Sequence, residues 1–134
     1  MSKRIVIASF IVVIFAASAT VASAQGRGWR NLGTKEVTDR LEEDNFNIGA
    51  IRGQFTRLRF RVGRNPVRIE RMVITYTSGE RDEIQVAERI GAYRYSRIID
   101  VEGQDRYIRN VRFWWSAASL GRRRSTTVTL FGRR

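Results

Sequence analysis

The chain has 134 residues, 25 lysines and arginines against 13 acidic residues, a net charge of +12 at pH 7, and neither cysteine nor histidine. This composition excludes disulfides, Ser-His-Asp and Cys-His nucleophiles, thiol redox chemistry and nearly every zinc or copper site. It points instead to a basic chain whose fold rests on apolar burial and whose partners are anionic.

Lys3 and Arg4 precede an apolar run from Ile5 to Ala17, and Ala22-Ser23-Ala24 ends it with the small-x-small pattern that a signal peptidase accepts. Residues 1–24 therefore read as a removable signal peptide rather than an anchor, with Ser9, Ser18, Thr20 and Ser23 interrupting the stretch. Residues 25–134 then form a single exported domain with no further segment of spanning length, placed in the periplasm or secreted. Cleavage leaves 23 basic residues against 13 acidic ones, a net charge of +10. All the basic residues of that domain except Lys35 are arginine. Codon bias would produce the same preference, so only the net excess carries an argument.

Gln25 to Arg30 reads as a flexible start with Trp29 as its first anchor, and a weak strand follows through Val37. The acidic stretch Asp39 to Asn47 reads as a loop with at most one helical turn. Phe55 to Val62 is the clearest element: Leu58, Phe60 and Val62 share one face and Arg57, Arg59 and Arg61 the other, the alternation of a half-buried strand. Gly63 to Pro66 has turn chemistry. In the next strand, Val67 to Tyr76, the apolar phase moves from Val67 and Ile69 to Met72, Ile74 and Tyr76. This predicts a bulge or bend near Glu70 and Arg71, as when a strand passes from one sheet to another.

Thr77 to Glu80 is a hairpin turn, and Asp82 to Val86 returns as a strand. Ala87 to Tyr95, with Gly91 inside it, reads as a loop that leads into a strand over Ser96 to Val101, and Glu102 to Asp105 turns the chain again. Ile108 to Ser116 places Val111, Phe113 and Trp115 on one face and Arg112 and Trp114 on the other. A basic loop over Leu120 to Arg124 precedes the last strand, Thr126 to Phe131. Six to eight strands without a sustained helical period define an all-β antiparallel sandwich, jelly-roll-like in type.

Carboxylate-only catalysis would have to draw on Glu42, Glu43, Asp44, Asp82, Glu83 and Asp100, each expected beside arginines as solvated or paired charge. Glu42 to Asn47 supplies oxygen ligands for calcium but lacks the EF-hand spacing. No catalytic residue, metal or cofactor is therefore expected. Arg57, Arg59 and Arg61 recur about 6.5 to 7 Å apart along one strand face, a spacing that suits successive charges of a polyanion. Their ordinary alternative is a solvent face paired across to Glu70. Trp114, beside Arg112, is the candidate stacking platform for a sugar ring or base unless the segment around Trp29 or a loop covers it. Tyr93 and Tyr95 supply an aromatic rim, and the runs Arg122 to Arg124 and Arg133-Arg134 supply long-range attraction.

The pieces Thr56 to Val62, Pro66-Val67, Val73 to Tyr76 before Gly79-Glu80, Ser96 to Asp100, Asp105 to Val111 and Thr127 to Gly132 follow one another in an order that resembles small exported bacterial proteins of unknown function, similar to the YaaI-like family. The resemblance implies a secreted β-sandwich and assigns no catalytic residue. The expected function is non-enzymatic contact with an anionic polymer in the envelope or outside the cell: an acidic glycan, lipopolysaccharide or nucleic acid. The alternative is a structural or protein-interaction module of the periplasm without a polyanion ligand, which adds a strand to a partner through an exposed sheet edge or packs an aromatic patch against it.

Overall fold

The alternating strands pair into two sheets. In the computed structural model, which describes residues 28–49, 54–101 and 107–134, the elements in chain order are β1 (Trp29–Thr38), β2 (Glu43–Asn47), β3 (Arg57–Val62), β4 (Val67–Tyr76), β5 (Arg81–Ile90), β6 (Ile99–Asp100), β7 (Ile108–Ser116), α1 (Ala117–Leu120) and β8 (Ser125–Arg133). The leader, the expected start at Gln25 and the turn at 102–105 lie outside the described residues. One sheet has the order β1-β8-β3-β6 and the other β2-β7-β4-β5, and every pairing is antiparallel. The two unclosed sheets form a sandwich. Among the described residues no helix is long and apolar enough to cross a membrane.

Leu58, Phe60 and Val62 of β3 and Val128 and Leu130 of β8 face Phe46, Met72, Ile74, Val111 and Phe113 of the other sheet, each almost fully buried. Phe113 is the hub of this core. Its ring lies 5.0 Å from Phe46, 5.3 Å from Trp115 and 5.8 Å from Phe60, so aromatic contact runs from one sheet to the other. Trp115, in phase with Phe113, is buried and satisfies its indole by donating to the Thr38 carbonyl at 3.0 Å. Gly132 faces inward on β8, where a Cβ would lie 2.8 Å from both Leu32 and Phe55. A side chain there has no room.

Three expectations are corrected. Part of the acidic stretch is the strand β2, because Phe46 and Ile48 share one phase and fill the core beneath the charged residues. Strand β5 runs to Ile90, with Val86 and Ile90 buried, and Ala87 at φ 48° marks an irregularity inside it rather than the start of a loop. Of the strand expected over Ser96 to Val101 only Ile99–Asp100 remains, since the Ser96 hydroxyl takes the place of a ladder partner and accepts from the Phe60 N–H at 2.9 Å. The segment still runs along β3, where the Ser96 N–H donates to the Phe60 carbonyl.

The phase change in β4 is a bulge. Against β7, Ile69 pairs with Trp115 and Arg71 with Trp114, which leaves Glu70 as the extra residue. The strand remains in one sheet instead of crossing to the other, bonded to β7 and β5 on both sides of Glu70.

Phe113→Ala removes the ring that joins the sheets and is expected to lower unfolding stability by about 3–5 kcal/mol. Gly132→Ala is expected to cost about 1–3 kcal/mol by overpacking. Urea unfolding followed by far-ultraviolet circular dichroism measures both, and wild-type midpoints would refute this description of the core.

Candidate functional site

The sandwich separates the sequence-predicted residues. Arg57, Arg59 and Arg61 lie on the outer face of the β1-β8-β3-β6 sheet, whereas Arg112 and Trp114 lie on the outer face of the other. They form no single site. Glu70 is not a cross-strand partner of the three arginines either, because it sits in the opposite sheet and pairs with Arg68 at 2.6 Å.

The outer face of the β2-β7-β4-β5 sheet is a polar groove of about 760 Å³. Strand register orders its floor into rows. Trp114 lies between Glu43 and Arg71, Arg112 between Asn45 and Val73, and Asn110 between Asn47 and Thr75. Beyond Arg71, Val73 and Thr75 the rows continue on β5 with Gln85, Glu83 and Arg81. Cross-strand neighbours stand about 5 Å apart and rows about 7 Å apart, close to the scale of a pyranose ring and its substituents.

Trp114 is half-buried and is covered from within its own sheet, whereas Trp29 packs against Arg59 of the other sheet. The Arg71 guanidinium lies 3.6 Å from its ring centroid. Glu83 holds Arg71 in place through an ion pair of 3.2 Å and also accepts from the Gln85 amide at 3.3 Å. An Arg–Trp stack of this kind contributes about 0.5–2 kcal/mol and fixes the position of both groups. The groove thus has a rigid end at Trp114 and Arg71, while among the described residues Arg81, Arg109 and Arg112 have no carboxylate partner. Four arginines and one glutamate line it, alongside Asn47, Asn110 and Thr75. The field is positive, and the amides and hydroxyl both donate and accept.

On the opposite face, Arg59 does not project as one tooth of a comb. Its guanidinium is sandwiched between the rings of Trp29 at 4.2 Å and Tyr95 at 4.0 Å. Arg61 stands 5.8 Å from Tyr95, and Arg57 is 3.6 Å from Asp100. Tyr93 is well exposed beside this region. The acidic residues are dispersed: Asp82 accepts from the Tyr76 hydroxyl at 2.8 Å, Glu83 holds Arg71, and Asp100 pairs with Arg57. Among the described residues no group of three or more acidic side chains is placed to hold a metal ion.

Arg71, Asn47, Asn110, Thr75, Arg81 and Arg109 join the groove without having been singled out from the sequence. The signal for Arg71 was present, since a bulge at Glu70 turns Arg71, Val73 and Thr75 outward. The adjacency of β2, β7 and β4 that assembles the rest is a property of topology.

Fold and groove together define a two-sheet antiparallel β-sandwich whose β2-β7-β4-β5 face is polar, cationic and tryptophan-bearing. The chain belongs to the family described as a domain of unknown function, DUF2541, which matches residues 6–132. This agrees with the expectation of an uncharacterised family, although the match does not carry the YaaI-like name. Among solved structures the fold is similar to Pseudomonas aeruginosa AlgX, with a TM-score of 0.54 and 12% identity over 89% of this chain and 29% of that one. This chain therefore spans less than a third of AlgX. Similarity extends to the SPBc2 prophage-derived protein YomS, with a TM-score of 0.44 and 14% identity over 79% of this chain and 91% of that one. It also extends to a mutant carbohydrate binding module of family 29, with a TM-score of 0.40 and 16% identity over 79% and 81% of the two chains. At these identities the likeness concerns the fold, and the fold comparison rests on AlgX. No curated protein matches the chain.

Arg71→Ala is expected to uncover the Trp114 ring without unfolding the protein. In a Trp29→Phe background, where Trp115 is buried, iodide quenching of indole fluorescence should rise. Unchanged quenching would mean that Arg71 does not shield Trp114 in solution.

Proposed function

We propose that the protein is an exported, non-enzymatic binding protein of the bacterial envelope or extracellular space that holds an acidic glycan in the groove of the β2-β7-β4-β5 sheet. The observation that carries this reading is the row register, which sets Trp114, Arg112 and Asn110 side by side on β7 with Arg71 stacked on the indole. Arg112, Arg81 and Arg109 provide charge-assisted donors for carboxylate or sulfate groups. Asn47, Asn110 and Thr75 suit sugar hydroxyls, and the indole edge and guanidinium plane of the Trp114–Arg71 stack provide a surface for a ring. Side-chain amides beside an aromatic favour a glycan over a nucleic acid, whose capture calls for a succession of stacking rings along the strand. The signal-like leader supports export, where such polymers occur.

The alternative of strand addition is opposed by the sheet edges. Strand β6 has two residues and β2 five, and β1 carries an irregularity between Asn31 and Gly33. On β5 the Arg97 guanidinium donates to the Val86 carbonyl at 2.6 Å and to the Gln85 carbonyl at 3.0 Å, occupying acceptors that an added strand would use. All four edges are thus short, irregular or capped.

The protein is expected to bind polygalacturonate with an affinity that falls steeply with salt and to ignore neutral dextran. Trp114→Ala and Arg112→Gln should each weaken binding about tenfold, the scale of one lost stacking or charge-assisted contact. Titration calorimetry across a salt series measures this, with poly(dT) alongside. Equal binding by wild type and both variants, or a clear preference for poly(dT), would refute the glycan groove.

A further inference from the structure

We propose that the outer face of the β1-β8-β3-β6 sheet is a second acidic-glycan site, so that one chain bridges two polymer strands. The bridging rests on the glycan reading of the groove for its first site; the second face stands on its own observations. Arg57 and Arg133 are directly opposite each other on β3 and β8, and Arg133 is in turn opposite Trp29 on β1. Like charges set across from each other in a sheet are destabilising. Asp100 offsets this arrangement little, because its contact with Arg57 is 3.6 Å long and the two side chains are 84% and 50% exposed. An anionic group between Arg57 and Arg133 would remove the repulsion. Two rows along β3 stands Arg61, and among the described residues neither it nor Arg133 has a carboxylate partner.

Between these cations lies a rigid aromatic floor. Trp29, Arg59 and Tyr95 form a continuous stack, and Tyr95 packs at 5.9 Å against Phe131, which is opposite Arg59 on β8. Tyr95 keeps 45% of its surface exposed despite these contacts. Among the described residues the buried Arg59 Nε has no hydrogen-bond partner, so Arg59 serves the floor. Arg61 and Arg133 stand at its rim, 5.8 Å from the Tyr95 ring and 6.0 Å from the Trp29 ring, with their guanidinium donors left for the ligand. Arg57 and Arg61 are about 13 Å apart along the strand, a span of two to three sugar residues. The sheets are packed back to back, and the two faces point in opposite directions. A single extended polymer strand contacts one face or the other.

Titration calorimetry with hexagalacturonate, too short to wrap the molecule, reads this directly. Two molecules bound per chain are expected for wild type, and one for the Arg57→Gln/Arg61→Gln/Arg133→Gln variant, which spares Arg59 and hence the stack. One is also expected for Arg112→Gln/Trp114→Ala. Circular dichroism verifies that each variant is folded. With long polygalacturonate, wild type should produce turbidity that peaks and then clears in excess protein, while either variant binds without turbidity. One molecule per wild-type chain, lost only in the groove variant, would overturn the second site and leave the groove standing. One molecule lost only in the triple variant would overturn the groove and the bridging together. No binding by wild type would overturn both sites.

Discussion

At Glu70 strand β4 carries one residue more than β7, and side-chain alternation reverses there. Before it Val67 and Ile69 point into the core, and after it Met72, Ile74 and Tyr76 do so. Without the extra residue the second half of the strand would present Arg71, Val73 and Thr75 to the interior and its large apolar side chains to water. Burial of Met72, Ile74 and Tyr76, each worth about 1.5–3 kcal/mol, holds the bulge in place. Its consequence on the other side is Arg71 across from Trp114, with Glu83 of β5 near enough to clamp it. Core and groove follow from the same inserted residue.

The two outer faces use arginine in a common way. On each, one guanidinium is immobilised against aromatic rings, Arg71 on Trp114 and Arg59 between Trp29 and Tyr95. Others nearby have no acidic partner among the described residues, such as Arg112 on one face and Arg61 on the other. Immobilised cations and aromatics lower the ordering cost that a flexible basic surface would incur on binding. A positive surface that serves only solubility needs no such construction.

Much of this was legible in residue order. Alternation in Arg57 to Val62 and Ile108 to Ser116 located β3 and β7, placed Trp115 inside and left Trp114 outside, and the phase change in β4 located the bulge. What escaped was decided by side chains that override local pattern. Phe46 stacks on Phe113 and makes a strand of an acidic stretch, and the Ser96 hydroxyl intercepts a backbone N–H that would otherwise extend β6. The assignment of Arg57, Arg59 and Arg61 to one sheet and Arg112 and Trp114 to the other depends on strand order, which alternation does not encode. Arg59 looked equivalent to its neighbours because nothing in the spacing reveals that Trp29 and Tyr95, far apart in sequence, converge on it.

An amide-detected NMR titration with hexagalacturonate shows residue by residue whether the groove holds a glycan. On the β2-β7-β4-β5 sheet, shifts are expected on Asn47, Arg81, Asn110, Arg112 and the Trp114 indole, separate from those of the second face around Arg57, Arg61 and Arg133, while the Val86 to Ile90 half of β5 remains still. Perturbation confined to the sheet edges, or absent from β7, would contradict a glycan in the groove.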